Sequence, residues 1–202
     1  MNAYSRLIAG ELGFDSDFVE NIGQVAALHD IGKVAIPELI KLAKPYSRDQ
    51  RLEMQMHTIY GARIIETMMA YSEKEDPRIV MARNIALHHH QTFNGKGYPR
   101  LKSNGTIQAP LDRDYADYQN YAPLSGAEIP TEALVVGLAD RYDALRSRRP
   151  YKDTYSHEKT LAVLTQDDRS GINGAEWHGD KIWHVFEKHH PRFKEVFEDM
   201  QN

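Results

Sequence analysis

The chain has 202 residues, 41% of them hydrophobic and 27% charged, the balance of a folded chain of one domain's size and not of a disordered or membrane-embedded one. Its 25 basic residues against 29 acids leave a net charge of −4, which excludes a general pull toward nucleic acid or anionic membrane, so an anionic ligand must be held by local charge. Cysteine is absent, which excludes disulfides and thiolate metal sites and leaves nitrogen ligation to the ten histidines.

No segment approaches the roughly 18 consecutive apolar residues of a membrane span, and the start lacks a basic stretch followed by an apolar one. A cytoplasmic setting with no membrane segment is therefore expected. In chain order, apolar residues recur at helical spacing: Leu7, Ile8 and Leu12, then Phe18, Val19, Ile22, Val25 and Ala26, then Leu52, Met56, Ile59, Ile64 and Met68. Ser47 with Gln50 three residues on reads as a capping box, and Asp76-Pro77 sets a cap before a proline at the first helical position. Further helices are predicted over 77–90, 131–146, 156–166 and 180–200. No sustained alternation and no fixed-period repeat occurs, so the fold class is all-α. The irregular stretch is 91–130, punctuated by Gly95, Gly97, Pro99, Gly105, Pro110, Pro123, Gly126 and Pro130, and connections of that length usually carry function or are disordered.

Three places carry chemistry. His29-Asp30 is expected to close an apolar helix through Val25-Ala26-Ala27-Leu28, with Gly32 as its stop and Lys33 just beyond. A carboxylate placed there needs a strong partner, either a metal ion or an ion pair. His88-His89-His90 ends a second helix and breaks into Asn94-Gly95-Lys96-Gly97-Tyr98-Pro99, and three adjacent imidazoles are hard to explain by packing. In Leu138-Ala139-Asp140-Arg141-Tyr142-Asp143, Asp140 falls on an apolar helical face, and Arg146, Arg148, Arg149 and Lys152 follow as a cationic cluster suited to phosphate. A mixed His/Asp set suits Fe or Mn, with Zn, Ni or Mg as further fits. His157, His184, His189 and His190 read as solvated surface residues, and His178 is ambiguous.

Taken together, His29-Asp30-Ile31-Gly32-Lys33 with Ile36-Pro37, Lys44-Pro45, His57-Thr58-Ile59-Tyr60-Gly61, His89-His90, Asn94-Gly95-Lys96-Gly97-Tyr98-Pro99, Ala139-Asp140-Arg141-Tyr142-Asp143-Ala144-Leu145 and Arg149-Pro150-Tyr151-Lys152 resemble the HD-GYP family in order and spacing, over most of 4–200. The resemblance implies a five-helix HD core with additional C-terminal helices, forming a single domain over 1–202. It also implies two or three divalent metal ions and hydrolysis of cyclic di-GMP to the linear dinucleotide or GMP by a metal-bridging hydroxide. By position, Asp30 would bridge the ions, with His29 and Asp140 completing one site and His57, His89 and His90 the other. Lys33 would touch the scissile phosphate, Arg149 and Lys152 would hold phosphate oxygens, and Tyr98 would line the substrate pocket. Partners implied are cyclic di-GMP, a regulatory domain upstream in the parent chain and a GGDEF diguanylate cyclase at the GYP loop.

The chain departs from the family pattern in three respects. Gln91 and Asn94 stand where the family has Glu and Asp. An insertion spans 102–123, between Leu101 and Leu124, with Tyr115, Tyr118 and Tyr121 as a lid, partner surface or spacer. The family's first helix, with a further metal-binding histidine, is expected to be missing, leaving His29, Asp30 and Asp140 one ligand short and the second ion bound more tightly. Two rival readings are a degenerate cyclic-dinucleotide receptor and an HD phosphohydrolase acting on another nucleotide.

Overall fold

A computed structural model of the chain describes residues 1–42, 45–71, 74, 76–103, 106–107, 120–147, 154–166 and 173–200. The N-terminal helices α1 (Asn2–Glu11) and α2 (Ser16–Val25) pack on each other. Asp15 caps α2 by accepting from the Phe18 N–H, which satisfies one of the donors a helix start leaves free. The chain then tightens into a 3₁₀ segment, Ala26–Ala35, followed by α3 (Pro37–Lys41), α4 (Arg48–Gln55) and α5 (His57–Ala70). The expected capping box is present at the start of α4, with Ser47 Oγ accepting from the Gln50 N–H and Gln50 Oε1 accepting from the Ser47 N–H. Asp76 and Pro77 likewise open α6 (Pro77–His88).

The 3₁₀ segment corrects the expectation that His29-Asp30 closes an α-helix with Gly32 as its stop. The α-helix ends at Val25, and the His-Asp pair sits on the tighter turns that follow. Gly32 serves close approach instead: a Cβ there would run into the main-chain oxygen of His57 and the nitrogen of Gly61. Two glycines facing each other let the 3₁₀ segment lie directly on the first turns of α5.

The sheet is small and lies within the irregular stretch: β1 (Arg100–Ser103) pairs antiparallel with β2 (Thr106–Ile107) and with β3 (Ala122–Pro123), in the order β2-β1-β3. Strands this short carry too few side chains to show alternation, so no periodicity marks them. The all-α class stands. Helix α7 (Thr131–Arg146) crosses the centre, burying Ala133 through Ala139 and then Tyr142. It is followed by α8 (His157–Thr165), α9 (Gly174–His178) and α10 (Asp180–Asp199).

Helix α10 closes the core with an aromatic face. Phe193 stacks on Tyr4 of α1 with ring centres 5.2 Å apart and meets Tyr142 of α7 edge-on at 5.2 Å. Two of the histidines expected at the surface join this packing. His157 is buried, with Nδ1 2.9 Å from the Tyr142 hydroxyl and Nε2 3.0 Å from His190 Nδ1. Each lies in a largely polar stretch of its own helix, α8 or α10, which hides the inward face from a pattern read along the sequence. Among the described residues no helix is long and apolar enough to cross a membrane.

Candidate metal centre

Four chain segments converge on one point: the 3₁₀ segment brings His29 and Asp30, the start of α5 brings His57, the end of α6 brings His89 and His90, and α7 brings Asp140. Glycines set these approaches. Gly32 seats Asp30 against α5, and Gly137 brings α7 so near the end of α6 that a Cβ would stand 2.5 Å from the His89 oxygen. The α6 helix ends at His88, so His89 and His90 turn inward while His88 is buried away from the group.

Asp30, His57, His89 and His90 each offer one ligand atom, all within 4.8 Å of one another. Asp30 Oδ1 lies 3.3 Å from His57 Nε2 and 3.9 Å from His89 Nε2, and the two imidazole nitrogens are 3.5 Å apart. Nitrogen ligands about 2.1 Å from one ion sit roughly 3.0–3.4 Å from each other in octahedral or tetrahedral arrangements, so these separations are close to those a bound ion requires. On the other side of Asp30, His29 Nε2 lies 3.3 Å from Asp30 Oδ2 and 3.6 Å from Asp140 Oδ1. Asp30 therefore faces both sets of ligands with different oxygens.

The tautomers suit metal binding. Nδ1 of His29 is 2.9 Å from the Ala26 carbonyl, Nδ1 of His57 is 2.5 Å from the Met54 carbonyl, and Nδ1 of His89 is 3.0 Å from the Ile85 carbonyl. A carbonyl can only accept, so each Nδ1 carries a proton, and Nε2, the nitrogen left for a metal ion, points to the centre. Asp30 Oδ1 is buried without a hydrogen-bond partner, an acceptor left for a cation. The donor set therefore fits divalent metal.

The electrostatics agree. Burial disfavours the charged form of His29, but the carboxylates of Asp140 and Asp30 beside its Nε2 outweigh it and raise its pKa to about 9. Burial would likewise raise Asp30, yet His29, His57 and Lys33 hold its carboxyl far below the usual range. Burial pushes His89 down to about 3 and His90 well below its ordinary value, so both are neutral ligands. The positive charge of His29 beside two carboxylates stands where a cation would be held.

Lys33 Nζ forms an ion pair with Asp30 Oδ2, and its side chain is partly exposed beside the centre. Tyr98 lies over His90, ring centres 4.5 Å apart and tilted by 30°, and its N–H donates to the His90 oxygen at 3.0 Å. The structure thus brings together His29, Asp30, Lys33, His57, His89, His90, Tyr98 and Asp140. Arg149 and Lys152, as well as Arg148, Tyr115 and Tyr118, lie outside the described residues.

Residues with no motif signal support the site from behind. Phe93 N–H donates to the Trp177 oxygen at 2.8 Å and Asn94 N–H to the Glu176 oxygen at 2.9 Å, so α9 holds the loop that leads to Tyr98. Arg141, next to Asp140, lies 3.4 Å over the Trp177 ring. These contacts join segments far apart in sequence, and no local pattern in either segment signals them. His178 is buried beside α7, and burial, then Arg141, pushes its pKa down to about 3.

A family profile described as the HD domain matches residues 1–145. The chain is similar to a cyclic di-GMP phosphodiesterase of Thermotoga maritima, 36% identical over 158 residues, covering 78% of this chain and 35% of that protein. It is 32% identical over 166 residues to a cyclic di-GMP phosphodiesterase response regulator of Xanthomonas campestris pv. campestris, covering 81% and 36%. A 3'3'-cGAMP-specific phosphodiesterase of Vibrio cholerae is 30% identical over 163 residues, covering 80% and 26%. The chain spans about a third or less of the length of these relatives. With the His29-Asp30 pair at the heart of its centre and a profile match over most of its length, the chain belongs to the HD domain family.

Proposed function

We propose that this chain, as one HD domain, is a metal-dependent phosphodiesterase that hydrolyses cyclic di-GMP. The observation that carries the reading is the group of Asp30, His57, His89 and His90 with the Tyr98 ring directly over His90, which sets a platform for a nucleobase or ribose beside a metal centre. The relatives named as cyclic di-GMP phosphodiesterases support the same substrate.

Asp30 would hold both ions, His57, His89 and His90 one of them, and His29 and Asp140 the other. The mixed His/Asp donor set favours Fe or Mn. Divalent ions bound there supply Lewis-acid charge at the phosphate and an acidified water. Lys33, already within reach of Asp30 Oδ2, would turn its ammonium to a phosphate oxygen and offset the charge that builds there. Tyr98 would position the nucleotide, and Arg149 and Lys152 would neutralise the second phosphate. The cytoplasmic setting, a regulatory domain in the same polypeptide and a GGDEF partner at the Tyr98 loop belong to this reading. The response-regulator name of one relative supports the regulatory domain.

The test is incubation of protein loaded anaerobically with Fe(II) or Mn(II), with nucleotides resolved by chromatography. Conversion of cyclic di-GMP to the linear dinucleotide or GMP is expected. Tight binding with no turnover under any metal would establish a receptor instead. A second reading, 3'3'-cGAMP as substrate, is favoured by the Vibrio cholerae relative and would be adopted if that nucleotide alone were cut.

A further inference from the structure

We infer that Gln91 is a positioning residue whose side-chain amide fixes Tyr98 over the metal centre by tying both ends of the inserted segment to one point. The inference rests on the phosphodiesterase reading above. Gln91 is 3% exposed. Its Nε2 donates to the Pro99 oxygen at 2.5 Å and its Oε1 accepts from the Leu124 N–H at 3.1 Å. Pro99 immediately precedes the sheet and Leu124 immediately follows it, so one amide closes the neck of the whole insertion.

The neck matters because Pro99 is bonded to Tyr98. The loop is already folded tightly, with Gly97 lying so close to the preceding backbone that a Cβ would stand 2.5 Å from the Thr92 nitrogen. The Tyr98 N–H is tied to the His90 oxygen and its ring packs on the His90 ring, while Pro99, the next residue, has an anchorage of its own. That anchorage is the Gln91 amide. A primary amide presents a donor and an acceptor at the same reach, whereas an ionised carboxylate has only acceptors and a thioether has neither as a strong group. Both partners are buried, so losing the amide leaves the Pro99 oxygen and the Leu124 N–H unsatisfied, and the loop relieves this by opening.

The experiment compares Gln91→Met, of similar volume, and Gln91→Glu, which keeps length and acceptor, with the wild type. Three quantities are measured: bound metal, hydrogen exchange at the Tyr98 and Leu124 amides, and kcat and KM for cyclic di-GMP. In Gln91→Met both amides should exchange at least about tenfold faster and KM should rise about tenfold, with kcat and metal content changed less than roughly threefold. Gln91→Glu should shift the same quantities in the same direction, and it decides the matter should Gln91→Met not fold. Unchanged exchange and KM in both variants would overturn the inference, as would metal loss in step with the rise in KM, which would place the effect on His90. A wild type that cuts no cyclic dinucleotide would sink the phosphodiesterase reading alone. The exchange rates, with equilibrium binding of cyclic di-GMP in place of KM, would then still decide whether the staple holds the loop.

Discussion

Asp30 and His57 meet across the junction of the 3₁₀ segment and α5, with Oδ1 of the aspartate 3.3 Å from Nε2 of the histidine, while the other Asp30 oxygen lies 3.3 Å from His29. One carboxylate thus joins two groups of ligands. Asp30→Ala is expected to weaken metal binding by roughly a hundredfold or more and to abolish turnover, because in the proposed function Asp30 would be the ligand both ions share. Elemental analysis after gel filtration checks it, and retention of two ions per chain would refute the bridging role.

The two sets of ligands differ in closure. Asp30, His57, His89 and His90 form a compact group, whereas His29 and Asp140 do not gather with Asp30 into a comparable one among the described residues. Titration of the metal-free protein with Mn(II) is expected to be biphasic, the tighter ion binding at the four-residue group. His89→Ala should remove the tight phase, and Asp140→Ala the weak one.

Lys33→Ala should leave metal content near the wild-type level while lowering kcat by about a hundredfold, the scale of losing one preorganised charge at a transition state. Steady-state kinetics alongside metal analysis would separate these effects. Unchanged kcat would show that Lys33 serves Asp30 alone.

Two glycines should respond in opposite ways to the same substitution. At Gly32 a Cβ meets main-chain atoms of His57 and Gly61, which cannot rotate away, so Gly32→Ala is expected to destabilise by about 3 kcal/mol and to impair metal binding with it. At Gly10, an exposed position in α1 where a Cβ meets nothing, Gly10→Ala should stabilise by about 0.5–1 kcal/mol. Thermal melts of both variants check the pair, and a neutral Gly32→Ala would mean that the 3₁₀ segment does not need to touch α5.

Stability of the metal-free protein should depend on pH with a definite sign. His88, His89 and His178 are each depressed by burial to about 3, so below the ordinary histidine value near 6.5 the unfolded chain binds protons that the folded one does not. Stability therefore falls as pH drops from about 6.5 toward 3. His29, raised to about 9, acts the other way: its contribution is complete below about 6.5 and is lost as pH rises through 9. Melting temperature should peak near neutrality. A Tm that does not change between pH 7 and pH 4.5 would contradict the burial of these imidazoles.

The helices, their caps and the histidine and aspartate motifs were legible in the sequence because each depends on local rules. Ser47 and Gln50 cap within one turn, Asp76 and Pro77 open a helix by themselves, and His29-Asp30 with His89-His90 stand out by adjacency alone. Other features arise only when distant segments touch, and tertiary structure decided them. Gly32 looks like a helix stop until α5 lies against it, and Gln91 looks like a conservative replacement until Pro99 and Leu124 are found on either side of its amide. His157 looks like a surface residue until Tyr142 and His190 close around it. Sequence carries ligand identity, since chemistry resides in residue type, but approach distance and hydrogen-bond partnership are properties of packing between segments, and no local pattern encodes them.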